Sequence, residues 1–152
     1  MAIVRALARP LLASTFLVGG LDAVRNPDPR VPAAEEVVGE LTDRLPAVSS
    51  TRQLVQLDGA VKVTAGALLA LGRLPRLSAV ALAASLVPTT LAGHRFWTET
   101  DPTKKSAQQI HFFKNLSMMG GLILAAVDTS GKPSWGWRAR HAVVAAKEKV
   151  VG

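Results

Sequence analysis

Asp58 and Lys62 stand four residues apart in an otherwise apolar stretch. On a helix that spacing puts both on one face, where a carboxylate and an ammonium can pair. A second polar series, His111, Lys114, Asn115 and Met118, follows helical spacing and forms one stripe of a helix facing its neighbours. Ionised groups in membrane-crossing stretches cost about 2.5–3.5 kcal/mol near the centre, so each needs an interior partner or a wet cavity. Groups of this kind lock helix register, hydrogen-bond a bound carbonyl compound, or carry a solute or proton. His94 and His111 add imidazoles, the usual axial ligands of a haem held between helices, although near a membrane boundary a solvated or capping histidine is commoner. The chain has no cysteine, which excludes disulfide exchange, thiolate metal sites and iron–sulfur ligation by the chain itself. No P-loop, dinucleotide fingerprint, nucleophile elbow or metalloprotease motif is present.

The elements that must position these residues are set by composition. The 152 residues are 49% hydrophobic but only 5% aromatic, so the apolar content is Leu, Ala and Val in blocks. Four blocks stand out, at residues 6–24, 53–71, 77–93 and 109–127. Each covers roughly 26–29 Å as a helix, just enough for a hydrocarbon core of about 30 Å. Pro10 and Pro88 fall inside two of them, which membrane helices tolerate when nearby hydroxyls such as Ser85 satisfy freed backbone groups. The fold expected is therefore an all-α integral membrane four-helix bundle. The first block also has the basic-then-apolar order of a signal peptide, but Leu21 and Asp22 make a poor cleavage site, and Gly19 and Gly20 suit a packed helix. The net charge of +7 would suggest nucleic acid in a soluble protein. Here the basic residues are scattered around apolar blocks rather than gathered on one face, so nucleic acid is not the expected partner.

Charge also orients the spans. The N-terminus, the short turn with Arg73 and Arg76, and the C-terminal tail carry Lys and Arg with few acids, whereas Arg25, Arg30, Arg44, Arg52 and Arg95 are accompanied by acids. The positive-inside rule then places both termini in the cytoplasm. Spans two and four both run inward, and Asp58 and Lys114 each lie five residues past their span's start. Equal depth predicts an interhelical Asp58–Lys114 pair, with Lys62 about a turn deeper and Asn115 alongside. Asp22, His94 and His111 could extend this cluster into a cavity opening outward. At the inner ends of spans one and four, Arg9 and Asp128 form a second candidate pair. The small residues Ser14, Thr15 and Gly19 read as a helix contact, Met118, Met119, Gly120 and Gly121 as core, and Ser85 and Thr89 as partners of backbone carbonyls near Pro88.

Between spans one and two, residues 33–45 follow Pro32 with Val37, Val38, Leu41 and Leu45 at helical spacing, which predicts a short amphipathic helix across the outer end of the bundle. After span four, Trp135 and Trp137 read as interface anchors, and residues 139–152 as a basic amphipathic helix attracted to acidic lipid. The organisation expected is one transmembrane domain over residues 1–138 with a basic cytoplasmic tail over 139–152.

Particular residues carry a family resemblance. Asp58-Gly59-Ala60, Ala65-Gly66 and the turn Gly72-Arg73-Leu74-Pro75-Arg76, the run to His94, Phe96 and Trp97, and His111 to Gly121 with Lys114, Asn115 and the closing Asp128 together resemble the DoxX family of small bacterial membrane proteins, especially its actinobacterial members. The resemblance extends over roughly residues 3 to 138, from the first span to just past the fourth. It implies a multi-pass protein of the bacterial inner membrane, tied to quinol- or quinone-linked redox systems and to complexes with soluble sulfur-transfer and superoxide-removing enzymes. Related four-helix membrane proteins use thiols, which this chain lacks. The first expectation is a non-catalytic anchor or subunit of a membrane redox or stress-defence complex, with soluble redox enzymes on the cytoplasmic side. Two others stay open: a quinone-binding subunit using Asp58, Lys62, His94, His111, Lys114 and Asn115, and a transporter of a small solute or proton through the same cluster.

Overall fold

The structure is a computed structural model that describes residues 2–44, 50–129, 137, 140 and 141. The tail 139–152, apart from residues 140 and 141, and the anchor Trp135 lie outside the described residues. Helix α1 (Ala2–Arg25) runs through Pro10, one 3-10 turn follows at Asp28–Arg30, and α2 (Val31–Arg44) occupies most of the segment read as a loop helix. Helix α3 (Thr51–Ala70) starts at Ser50, whose hydroxyl accepts from the Gln53 amide at 3.3 Å, as an N-cap serine does. Helix α4 (Pro75–Gly93) begins with proline, whose fixed φ and missing N–H suit a first turn. The bend before it is made by Gly72 at φ 68° and Leu74 at φ 50°.

Helix α5 (Pro102–Val127) begins about two turns earlier than hydropathy alone predicts. The reason is a cap: Asp101 accepts from the backbone amides of Thr103 at 2.8 Å and Lys104 at 3.0 Å, with Pro102 in the first helical position. A hydropathy reading sees the apolar run and not the polar turns that a good cap adds to it.

Helix α1 packs chiefly on α3, α3 on α4, and α4 on α5, while α2 lies against α3 and α4. A thin seam of Ala13, Phe16, Ala65, Leu69, Ala79, Leu82, Leu86 and Leu122 forms the core. Much of the remaining apolar surface points outward, with Ile3, Leu11, Val18, Leu77 and Leu124 among the most exposed. Among the described residues, three helices, Ile3–Arg25, Pro75–Thr98 and Pro102–Val127, are long and apolar enough to cross a membrane, and no more than 28% of the apolar 18-residue stretch of any of them is buried inside the protein. Apolar surface on that scale calls for lipid rather than water as solvent. Helix α3 matches them in length but carries Arg52, Asp58 and Lys62 and falls short of their apolarity.

Candidate functional site

The close approach of α1 and α3 depends on two glycines. A Cβ on Gly20 would lie 2.8 Å from the Gly59 carbonyl oxygen and from Lys62 Cβ, and one on Gly59 would lie 2.8 Å from the Gly20 carbonyl oxygen. The contact expected of Gly19 is therefore made by its neighbour: Gly19 meets nothing within 4 Å and faces a cavity. Among the core assignments, Met118 and Met119 pack on the buried cluster and Gly121 approaches Leu12, whereas Gly120 faces open space.

With the backbones this close, the polar face of α3 meets α4. Lys62, 8% exposed, donates to the Asp58 carboxylate one turn back and to the Thr89 hydroxyl at 2.6 Å. The Ser85 hydroxyl donates to the other Asp58 oxygen. Thr89 also donates to the Ser85 carbonyl at 2.8 Å, and Thr90 to that of Leu86 at 2.7 Å, around Pro88. The expected Asp58–Lys114 pair is not formed. Asp58 takes the within-helix partner and α4 hydroxyls, because α5 packs on α4 rather than on α3. Equal spacing from the start of a span fixes no azimuth, so it does not decide which neighbour a side chain meets. Ser85 likewise serves Asp58 rather than a backbone carbonyl.

Lys114 instead donates to Nδ1 of His111 at 3.2 Å, which places that ring's proton on Nε2. The His111 ring stacks on His94 with centroids 5.1 Å apart and planes 23° apart. His94 Nδ1 lies 2.7 Å from Gln108 Oε1, an atom that only accepts, so Nδ1 carries the proton and Nε2 is the ring's acceptor. Stacked, nearly parallel imidazoles do not aim nitrogens at one iron between them, so this arrangement does not suit a haem with two axial histidines. Asn115, 6% exposed, donates to Thr90 at 3.0 Å. Gln108 and the hydroxyls of Ser85, Thr89 and Thr90 are parts of the site that sequence reasoning missed or assigned elsewhere. Isolated hydroxyls in an apolar run carry no signal of their partner.

Asp58, Lys62, Thr89, His94, Lys114 and Asn115 line a cavity of about 730 Å³ between the helices. Phe16, Val55, Leu86 and Met118 supply apolar wall, and α2 adds Ala33, Ala34, Val37 and Val38. The amphipathic pattern of α2 is thus explained by what it covers. The Glu36 carboxylate of α2 accepts from Arg95 after α4, and the 3-10 turn is tied to α3 by Arg52 on Asp28 at 2.8 Å. His111 lies behind His94 rather than on the wall. Asp22 does not join the cluster. It accepts from Arg30 at 2.5 Å and from Asn26 at 3.2 Å, beside a separate cleft.

At the opposite end, the expected Arg9–Asp128 pair forms at 3.2 Å. It has company: Arg5 Nε donates to the same carboxylate at 2.9 Å, and Arg76 Nε donates to the Asp128 backbone carbonyl at 2.8 Å. This knot joins the starts of α1 and α4 to the end of α5.

The DoxX family model matches residues 4–95, more than half of the chain and the part that runs from α1 through α4. Neither the curated proteins nor the solved structures hold a match. With the apolar helices, the exposed lipid-facing surface and this match together, the chain belongs to the DoxX family of membrane proteins.

Proposed function

We propose that the protein is a four-span subunit of a redox or stress-defence complex of the bacterial inner membrane, with both termini cytoplasmic, and that its share of the work is to bind the headgroup of a quinone. The observation that carries this reading is the cavity. Its volume of about 730 Å³ suits a substituted quinone ring and the start of a prenyl tail. Its walls are mainly apolar, and its polar groups converge from α3, α4 and α5. Helix α3 counts as the fourth span because α1 and α4 shield its polar residues, and the Asp58–Lys62 pair is satisfied within the bundle.

A bound quinone would supply reversible uptake of electrons and protons. The residues hold and orient it. Lys114 spends one N–H bond on His111 and has others for a ligand carbonyl. His94 Nε2 can accept a hydroxyl proton from the reduced ring, while Gln108 fixes the His94 tautomer. Asn115 is held by Thr90 through one amide N–H and has the second for the ligand. The Asp58–Lys62–Ser85–Thr89 network is internally paired and acts as rigid support for the wall.

The test is purification of the tagged protein from its own membrane in mild detergent, with extraction of bound quinone and identification of co-eluting proteins. The expected result is near-stoichiometric quinone that is lost in Lys114→Met, together with soluble redox enzymes. Soluble partners without quinone in the wild type would reduce the protein to an anchor and overturn the cavity reading. Neither quinone nor partner, with charge movement in vesicles, would replace it by transport.

A further inference from the structure

The knot at the other end of the bundle is unbalanced in charge. Among the described residues, three guanidiniums, from Arg5, Arg9 and Arg76, converge on Asp128 through its one carboxylate and its backbone carbonyl. The adjoining stretches of sequence are free of other acids: none lies in residues 1–21 or 59–98, and none between Asp128 and Glu148. The side chains are half-buried rather than sealed, with Arg5 29%, Arg9 18% and Asp128 25% exposed.

Position sharpens the meaning of the excess. Arg5 and Arg76 sit in the first turns of two of the three described helices long and apolar enough to cross a membrane, and Asp128 directly follows the last residue of the third. The cluster therefore lies at the boundary where lipid phosphates sit. Its neighbours in sequence, Val4, Leu7, Leu77 and Val127, are exposed apolar side chains. An anionic head on guanidiniums with apolar side chains beside it is the recognition pattern of an amphiphile, and basic pockets between helices at this depth suit acidic headgroups.

We infer that Arg5, Arg9 and Arg76 form a binding site for the phosphate of an acidic phospholipid. The phosphate shares the guanidiniums with Asp128, which holds them in place when no lipid is bound. Planar guanidiniums match phosphate oxygens in two-pronged hydrogen bonds, which lysines in the same places would not make. The proposal rests on the membrane placement of α1, α4 and α5 and is independent of what the cavity binds.

The experiment is thermal unfolding of the purified full chain in a neutral detergent, titrated separately with phosphatidylglycerol, phosphatidylcholine and inorganic phosphate. Phosphatidylglycerol at about ten times half-saturation should raise Tm by roughly 3–6 °C, with little response to the other two. Arg76→Gln should shrink that rise. Asp128→Asn provides the second handle: its starting Tm should be lower, since the knot loses its internal anion, yet its phosphatidylglycerol shift should exceed that of the wild type. Equal shifts with phosphatidylcholine, or an Asp128→Asn response no larger than the wild type's, would show a purely structural clamp and overturn the proposal. An equal shift from inorganic phosphate would overturn the lipid assignment in favour of a free anion.

Discussion

Asp58→Asn removes the charge that balances Lys62. Lys62 is 8% exposed, and after the change its ammonium keeps the Thr89 hydroxyl at 2.6 Å as its main partner. Breaking a buried pair from one side costs about 3–5 kcal/mol, because the remaining charge is stranded. The Asp58 side chain is 29% exposed toward the cavity, where water can reach the stranded ammonium, so the low end applies, about 3 kcal/mol. For a chain of this size that corresponds to a Tm lower by about 6–12 °C. Lys62→Met alone strands Asp58 with the two α4 hydroxyls and should cost a comparable amount. The double variant removes both charges and should lose less than the sum by about 1.5 kcal/mol or more. The assay is tryptophan fluorescence or circular dichroism of all four proteins, melted in the same mild detergent. Losses that add within about 0.5 kcal/mol would refute the pairing. The companion cycle with Asp58→Asn and Lys114→Met should be additive, because Lys114 is bonded to His111.

Other perturbations follow from the same contacts. Gly59→Val should force α1 and α3 apart, since even a Cβ there lies 2.8 Å from a backbone oxygen, and should cost about 2–3 kcal/mol by thermal melting, whereas Gly19→Ala meets open space and should be nearly neutral. Thr90→Val strands the Asn115 amide and should lower stability by about 1–3 kcal/mol in the same assay, with Thr90→Ser recovering most of it. Because the chain has no cysteine, single-cysteine labelling can read its topology directly. Arg73→Cys should react with impermeant maleimide only from the cytoplasmic side, and Thr98→Cys only from the other. Labelling of both from one side would refute the four-span arrangement.

The sequence alone marks the helices more clearly than it marks their polar contacts. Hydropathy locates the long described helices α1, α3, α4 and α5 because runs rich in apolar residues are a coarse signal, and the Val37–Val38 spacing locates α2 because one face of it is covered. The Arg9–Asp128 pair was legible because both residues sit at helix ends on the same side, where height alone decides. Midway along a helix, height is insufficient. Asp58 and Lys114 turn to different neighbours, and the direction depends on which helices pack together, with α3 held against α1 at the Gly20–Gly59 crossing and α5 packed on α4. Gly19 and Gly20 differ by one residue and about 100° of rotation, and no pattern in the chain separates them. The same holds for Ser85, one hydroxyl among several on α4, which is identified only by the carboxylate it meets.

Whether the cavity receives a quinone ring can be read by photolabelling the purified protein with a short-tailed azidoquinone and mapping the modified residues. Adducts are expected on cavity residues such as Phe16, Val37 and Met118, competed by excess unlabelled quinone and diminished in Lys114→Met. Adducts confined to outward-facing residues such as Leu11 or Leu124, insensitive to competitor, would contradict a quinone site in the cavity.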